Sequence, residues 1–141
     1  MLRLTKIFHF EMAHAIHGYQ GACKNLHGHS YELHTTFQST TDQKDSIPAP
    51  GFLLDFKDIK KMVQENLITV LDHQLVLSEA YVSEHPYLKS NDNLVIWPME
   101  PSAENMLFFI QQTLTKILPE DVNLVYLKLY ETKDSFAEWF L

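Results

Sequence analysis

Two segments near the start of the chain alternate apolar and polar residues with a period of two. The first covers residues 4 to about 13, and the second covers residues 27–37. Successive side chains of a β-strand point to opposite faces of a sheet, so this alternation predicts two half-buried strands. Both strands carry aromatic residues on their apolar face, and we expect them to pair with each other. Residues 124–131 and 136–141 predict two further strands near the other end of the sequence.

Two helices are predicted between these pairs of strands, because apolar residues recur there at three- and four-residue spacing. The first is capped by Asp55 or a neighbour, and the second begins near Pro101-Ser102 and ends at Pro119. The predicted apolar stripes are Phe56, Ile59, Met62, Val63, Leu67 and Val70 in the first helix, and Ala103, Met106, Leu107, Ile110, Leu114 and Ile117 in the second.

The order strand, strand, helix, helix, strand, strand is typical of an α+β protein with a four-stranded, mainly antiparallel sheet and both helices on one face. The length of 141 residues is that of one ordinary domain, so residues 1–141 are predicted to form a single domain. Residues 39–51 and 83–101 contain prolines and polar residues, and we predict that both are loops.

Charge and composition exclude several classes of function. A net charge of −7 leaves no surplus of Lys or Arg to replace the counterions of phosphate, which disfavours nucleic-acid binding. The chain has no run of about eighteen apolar residues, so no membrane span is expected. Its first residues do not resemble a secretory signal. A single cysteine cannot form an intrachain disulfide, which favours a reducing, cytoplasmic location.

Eight histidines are present, and His27-Gly28-His29 is the most informative motif among them. Residues i and i+2 of a strand share a face, so both imidazoles are expected to point toward one position. Neutral imidazole is a good zinc ligand, and His14, after the first strand, is the candidate third ligand. Three histidines leave one coordination position open, as in catalytic zinc sites. His17 is the rival of His14.

The other histidines, His9, His17, His34 and His85, are interpreted as surface or rim residues. Cys23 lies in a polar segment four residues before His27. It is therefore a candidate fourth ligand, nucleophile or base, and a nearby dication together with Lys24 would favour its thiolate form.

Three carboxylate or imidazole groups complete the candidate chemistry. Asp72 and His73 follow the first helix and form either a proton-transfer pair or a helix-end charge pair. Glu131 ends a predicted apolar row of Val125, Leu127 and Leu129. A buried carboxylate needs charge-assisted donors, which a ligand with a guanidine-like edge, such as a pterin ring, would supply. The alternative is a rim glutamate paired with Lys128 or Lys133.

Six short segments, taken together, carry a family resemblance. They are Phe10-Glu-Met-Ala-His14, Cys23-Lys-Asn-Leu-His-Gly-His29-Ser-Tyr31, Gly51-Phe-Leu-Leu-Asp-Phe56, Leu71-Asp-His73, Pro101-Ser-Ala-Glu-Asn105 and Tyr130-Glu-Thr132. In this order, over nearly the whole chain, they resemble the 6-pyruvoyl-tetrahydropterin synthase / 6-carboxytetrahydropterin synthase family. The chain departs from the family at Gln74, which replaces a frequent Leu after the Asp–His pair, and at Ala103, which replaces a common Thr or Ser.

The resemblance implies the tunnelling fold (T-fold), in which subunits join their sheet edges into an oligomeric barrel. A homo-oligomer, a trimer or a hexamer, is therefore expected, and barrel closure would remove exposed edge strands. By this resemblance, His14, His27 and His29 bind a zinc ion (Zn2+) and Cys23 is the catalytic cysteine. Asp72 and His73 are the pair that assists it, and a neighbouring subunit can supply them. Glu131 anchors the pterin, which Glu104, Ser102 and Ala103 border.

The resemblance also implies a zinc-dependent lyase acting on a dihydropterin triphosphate. Three residues separate Cys23 from His27, which is similar to the bacterial 6-carboxytetrahydropterin synthases of queuosine (7-deazaguanine) biosynthesis. The expected reaction converts 7,8-dihydroneopterin triphosphate to 6-carboxy-5,6,7,8-tetrahydropterin, acetaldehyde and triphosphate. Lys24, Lys57 and Lys133 are equal candidates for contacting the triphosphate.

Two alternatives remain at this point. One is the pyruvoyl synthase of tetrahydrobiopterin biosynthesis, which eliminates triphosphate without releasing acetaldehyde and typically has a longer spacing between the cysteine and the first paired histidine. The other is a non-catalytic zinc-binding module in which the histidines are structural.

Overall fold

The computed structural model describes residues 2–141 and contains one six-stranded sheet with the order β4-β3-β1-β2-β5-β6. The strands are β1 (Arg3–His14), β2 (His27–Ser39), β3 (Gln74–Ser78), β4 (Leu94–Trp97), β5 (Val122–Thr132) and β6 (Ser135–Phe140). The helices are α1 (Phe56–Val63), α2 (Thr69–Leu71), α3 (Glu79–Glu84) and α4 (Ala103–Thr115). Short 3-10 helices cover Ala22–Lys24 and Pro86–Ser90, and a π-helical turn, Gln64–Ile68, joins α1 to α2.

The α+β class and the four predicted strands are confirmed. β1 pairs antiparallel with β2 from Arg3↔Gln38 to His14↔His27, with Phe10 opposite Tyr31. β2 pairs antiparallel with β5, and β5 with β6. The apolar face of this sheet packs against α1 and α4 to form the main core, which includes Phe37, Ile59, Met106 and Leu127.

The predicted number of four strands is wrong, because β3 and β4 add two strands on the other side of β1. Both run parallel to their neighbours, so the sheet is mixed. β3 shows no alternation because both of its faces are buried. Val76 packs into the main core, whereas Leu75 and Leu77 pack into a second cluster with α3. An apolar run that is buried on both faces carries no periodic signal.

The segment 83–101, predicted as a loop, contains regular structure. It holds the end of α3, the 3-10 helix Pro86–Ser90 and the whole of β4. The segment 39–51 is irregular, as predicted, and begins with the last residue of β2.

Both predicted helix starts are confirmed. The Asp55 carboxylate accepts a hydrogen bond from the backbone N–H of Lys57, and the Ser102 hydroxyl accepts one from Asn105. The first predicted stripe is partly wrong, because Phe56 and Val70 are exposed. The π-helical turn widens the helix by one residue per turn, which rotates Val70 away from the core.

Among residues 2–141, no helix is both long enough and apolar enough to cross a membrane.

Candidate metal centre and active-site cavity

Three imidazoles meet where β1 ends and β2 begins. His14 is the last residue of β1, and the strand register places it opposite His27. His29 lies two residues further along β2 and therefore shares the face of His27. His14 is buried, with 2% of its surface exposed. The ring centroids of the three residues are 4.5 to 5.2 Å apart.

Hydrogen bonds to backbone carbonyls set the orientation of two of these rings. His14 Nδ1 lies 2.7 Å from the Pro101 carbonyl oxygen, and His27 Nδ1 lies 2.7 Å from that of Asn25. A carbonyl oxygen only accepts, so each Nδ1 carries a proton and donates it. In a neutral imidazole, the Nε2 atom then keeps a free lone pair, which is how metal-binding histidines are usually held.

The two Nε2 atoms face each other at 3.0 Å. Two lone pairs at this distance repel unless a cation lies between them or one ring is protonated. Burial lowers the pKa of His14, and the neighbouring imidazole of His27 lowers it further, so a proton is disfavoured there. A shared metal ion satisfies both nitrogens without adding a proton.

His29 supplies the third nitrogen. Its Nε2 is buried and has no hydrogen-bond partner among the described residues. The closest carboxylate oxygen, Oε1 of Glu131, is 3.7 Å away, which is too far for a hydrogen bond. Burial lowers the pKa of His29 despite the opposing effect of Glu131. An unpartnered, buried and neutral ring nitrogen fits a metal ligand.

These residues satisfy the requirements of a metal site. One nitrogen from each of His14, His27 and His29 lies within 4.8 Å of the other two. Tetrahedral zinc at ~2.0–2.1 Å from each nitrogen would place the nitrogens about 3.3 Å apart, so a small adjustment of the rings completes the site. Three imidazoles without a protein carboxylate or thiolate leave a position for water or substrate.

His14, one of the three candidate metal ligands, borders a cavity of about 430 Å³. It contains His14, Cys23 and Glu131, together with Ser102, Ala103 and Glu104 at the start of α4. Most candidate residues named from the sequence are therefore brought into one concavity. A volume of several hundred Å³ is the usual size of a site for a small organic ligand.

Cys23 reaches this cavity from the 3-10 turn Ala22–Lys24. The backbone N–H of Ile16 donates to the Cys23 carbonyl at 2.8 Å, which fixes the turn against the end of β1. The thiol is free and half-buried. It does not belong to the group of three residues that could hold a metal ion, which favours a role as a base or nucleophile over that of a fourth ligand.

Glu131 lies in β5 on the face of Leu127 and Leu129, as predicted, and both leucines are fully buried. Val125 does not belong to this row, because the β2–β5 register shifts between Thr36 and Phe37 and moves Val125 out of phase. The predicted alternative partner Lys128 pairs with Glu138 instead, at 3.9 Å. The carboxylate of Glu131 therefore remains available to a ligand in the cavity.

Asp72 and His73 form a pair, with Oδ2 and Nδ1 3.0 Å apart, but they do not line the cavity of Cys23. They lie where β3 begins, and His73 borders a different concavity that includes Glu11 and Ser30. Glu11 and Ser30 alternate with the buried residues of β1 and β2 and so occupy the opposite face of the sheet. Within one chain, the structure does not bring this pair to the thiol.

His73 has an unusual and well-held conformation. Its φ of 60° is rare for a residue other than glycine. Its backbone N–H donates to the Glu11 carbonyl at 2.6 Å, and the Glu11 N–H donates to Asp72 Oδ1 at 2.8 Å. This last hydrogen bond holds the pKa of Asp72 below its ordinary value, with a further contribution from His73. The imidazole itself is 77% exposed and free to meet another surface.

The remaining histidines lie outside the metal group, as predicted. His9 and His34 both contact Glu32, at 3.1 and 2.6 Å. His17, the rival of His14, lines a different cavity, where its ring is 3.5 Å from a Glu84 oxygen.

Several contributors to the site could not be identified from the sequence. The carbonyl oxygens of Pro101 and Asn25 orient the metal-site histidines, and backbone groups leave no residue-specific signal. Tyr19 and Phe136 also line the cavity, and their large exposed fractions, 54% and 48%, are the feature that marks them. Tyr31, a buried tyrosine beside His14 and His29, has a hydroxyl without a hydrogen-bond partner among the described residues.

The chain is similar to known proteins over nearly its whole length. Residues 3–140 match the family described as 6-pyruvoyl tetrahydropterin synthase. The 6-carboxy-5,6,7,8-tetrahydropterin synthase of Haemophilus influenzae is 29% identical over 99% of each chain. The human 6-pyruvoyl tetrahydrobiopterin synthase is also 29% identical, over 83% of this chain and 69% of its own length. In fold, the 6-pyruvoyl tetrahydropterin synthase of Caenorhabditis elegans superposes with a TM-score of 0.68 at 17% identity, covering 99% of this chain and 94% of the other.

Proposed function

The chain belongs to the 6-pyruvoyl tetrahydropterin synthase family, and from this membership we propose that it is a 6-carboxy-5,6,7,8-tetrahydropterin synthase. Its substrate is 7,8-dihydroneopterin triphosphate, and its products are 6-carboxytetrahydropterin, acetaldehyde and triphosphate. Bacterial relatives with this name match almost the whole chain and almost their own whole length. The corresponding pathway is the biosynthesis of queuosine, a 7-deazaguanine nucleoside.

One observation carries the proposal: a single cavity contains the metal-site residue His14, the free thiol of Cys23 and the carboxylate of Glu131. A pterin has a guanidine-like edge at one end of its ring and a reactive side chain at the other. Glu131 can bind the edge through two charge-assisted hydrogen bonds, which orients the side chain toward the imidazoles and the thiol.

The metal held by His14, His27 and His29, zinc in this proposal, supplies Lewis acidity that makes protons on the bound side chain easier to remove. Cys23 acts as the general base and takes a proton from the substrate side chain. Ser102, Ala103 and Glu104 border the ring, and the aromatic wall of Tyr19 and Phe136 excludes water from it.

Asp72 and His73 take part from a neighbouring subunit in this proposal. Asp72 orients the imidazole through the 3.0 Å contact, and His73 relays protons between the substrate and solvent. The exposed imidazole suits this role, and since it does not line the Cys23 cavity of its own chain, the proposed role needs a second subunit. We therefore propose a homo-oligomer, a trimer or a hexamer, joined through the sheet edges β4 and β6.

We also propose a cytoplasmic location, because the cysteine is free and an oxidised thiol could not act as the base.

The deciding experiment is incubation of the metal-loaded protein with 7,8-dihydroneopterin triphosphate, followed by identification of the products. Stoichiometric acetaldehyde and 6-carboxytetrahydropterin support the proposal. Triphosphate without acetaldehyde identifies the pyruvoyl synthase, which the similarity to the human enzyme makes the second candidate. If the protein does not react with this substrate, the remaining interpretation is a non-catalytic metal-binding module.

A further inference from the structure

A second cavity of about 450 Å³ adjoins the first. Ile16 and Tyr19 line both cavities, so the two spaces share one wall. The second cavity has ionisable groups from three parts of the chain, namely His17, Lys24, Glu84 and His85. Apart from Lys24, a candidate triphosphate contact in the sequence, none of these residues has a role in the chemistry proposed above.

Cys23 and Lys24 connect the two spaces. They are consecutive residues of one 3-10 turn, yet Cys23 lines the first cavity and Lys24 lines the second. The hydroxyl of Tyr81 donates to the Lys24 carbonyl at 3.0 Å, which fixes the backbone from which the ammonium extends. Lys24 is exposed and forms no ion pair with the rest of residues 2–141. Its charge is therefore available to a ligand.

Two imidazoles line the same cavity as this lysine. The His17 ring lies 3.5 Å from a Glu84 oxygen, and the His85 ring stacks on Tyr81 with a centroid distance of 4.4 Å. His85 Nδ1 donates to the Tyr81 carbonyl at 3.0 Å, so its Nε2 is left for another partner.

We infer that the second cavity binds the polyphosphate chain of the substrate, with Lys24 as its principal cation. The inference rests on the proposed function, because it assumes a ligand with a pterin at one end and a triphosphate at the other. With the ring held at Glu131 and the reactive side chain near Cys23, the turn that carries Cys23 and Lys24 gives the polyphosphate a path into the second cavity. Phosphate oxygens accept charge-assisted hydrogen bonds from such groups.

The structure distinguishes between the three lysines that the sequence left as equal candidates for contacting the triphosphate. Lys57 is exposed in the first turn of α1, and Lys133 lies in the turn between β5 and β6. Neither lines either of the two cavities, whereas Lys24 does. Glu84 acts in the opposite sense to Lys24, because its carboxylate repels a polyanion and competes with it for His17.

Calorimetric titration of the metal-loaded protein with inorganic triphosphate tests this inference. We expect Lys24→Gln to raise the Kd about tenfold or more, since a charge-assisted contact is lost. Glu84→Gln should lower the Kd several-fold, and the matched control Lys133→Gln should leave it unchanged. An unphosphorylated pterin should bind Lys24→Gln as tightly as the unmodified protein, which shows that the first cavity is intact.

An equal Kd in Lys24→Gln and Lys133→Gln would overturn the inference, as would weaker binding in Glu84→Gln. The proposed function fails separately, in the product assay of the unmodified protein. If the unmodified protein produces acetaldehyde but triphosphate binding does not depend on Lys24, only the proposed subsite is rejected. Triphosphate binding that depends on Lys24, without any turnover, rejects the synthase alone.

Discussion

His14 and His27 face each other across the β1–β2 ladder with their Nε2 atoms 3.0 Å apart, while each Nδ1 donates to a backbone carbonyl. This arrangement pre-forms two ligand positions before any ion arrives, because both tautomers are already set. The cost is a repulsion between two lone pairs in a buried position. Binding of a cation removes that repulsion.

The metal-free protein should therefore lose stability as the pH falls. Burial lowers the pKa of His14 and of His29 in the folded state from the ordinary value of 6.5. Below about pH 6.5 these two histidines take up protons in the unfolded chain but stay neutral in the folded chain. The free energy of unfolding therefore decreases as the pH falls toward the folded-state pKa values. Urea unfolding at pH 7.5 and pH 5.5, with His14→Gln as the comparison, measures the effect. An equal pH dependence in both proteins would contradict this account.

Cys23→Ala should abolish turnover and leave the metal in place. The thiol lies outside the group of ligating nitrogens, so its removal takes away only the base. Loss of a general base typically costs about 10²- to 10⁴-fold in kcat. Elemental analysis of the purified variant gives the metal content. A variant that has lost its metal would show that Cys23 is a ligand.

Glu131→Gln should weaken pterin binding while the metal content stays unchanged. The carboxylate lies in the cavity without a lysine partner, so its charge is available to a ligand. Replacing the carboxylate by a neutral amide removes about 1.5–3 kcal/mol of charge-assisted hydrogen bonding, or about one to two orders of magnitude in Kd. Fluorescence titration with an unphosphorylated pterin reports the affinity. Unchanged affinity would refute the anchoring role.

Mixed oligomers test whether a neighbouring subunit completes the site. Cys23→Ala and His73→Ala should each be inactive alone, because each lacks one half of every site. Subunit exchange between them should restore about a quarter of the unmodified activity, since random pairing rebuilds that share of interfaces. Native mass spectrometry verifies that hybrids have formed. Verified hybrids without activity would reject the shared site.

Tyr31→Phe should leave the stability of the metal-free protein unchanged or raise it by up to about 1 kcal/mol, because a buried hydroxyl without a partner is a desolvation cost. The Tyr31 hydroxyl has no hydrogen-bond partner among residues 2–141, and burial raises the pKa of this phenol. Urea unfolding of both proteins measures the difference. A loss of more than about 1 kcal/mol would mean that the hydroxyl is satisfied in solution.

Local sequence patterns were sufficient to predict a strand or helix wherever one of its faces is buried and the other is solvated. The alternation through His27, His29 and Tyr31 predicted both the strand and the common face of the two histidines. The caps at Asp55 and Ser102 marked the helix starts, because a capping side chain acts on the backbone only two or three residues away. β3 was missed because Leu75, Val76 and Leu77 are buried on both faces and show no period.

The sequence by itself determined the residue types of the site and the shared face of His27 and His29, because a strand's two-residue period is a property of the backbone. Only the tertiary structure decided which residues meet. The register that sets His14 against His27, the bulge that displaces Val125, and the separation of His73 from Cys23 all depend on long-range strand pairing. The energies of such pairing are summed over the whole sheet, so no short window of residues contains them.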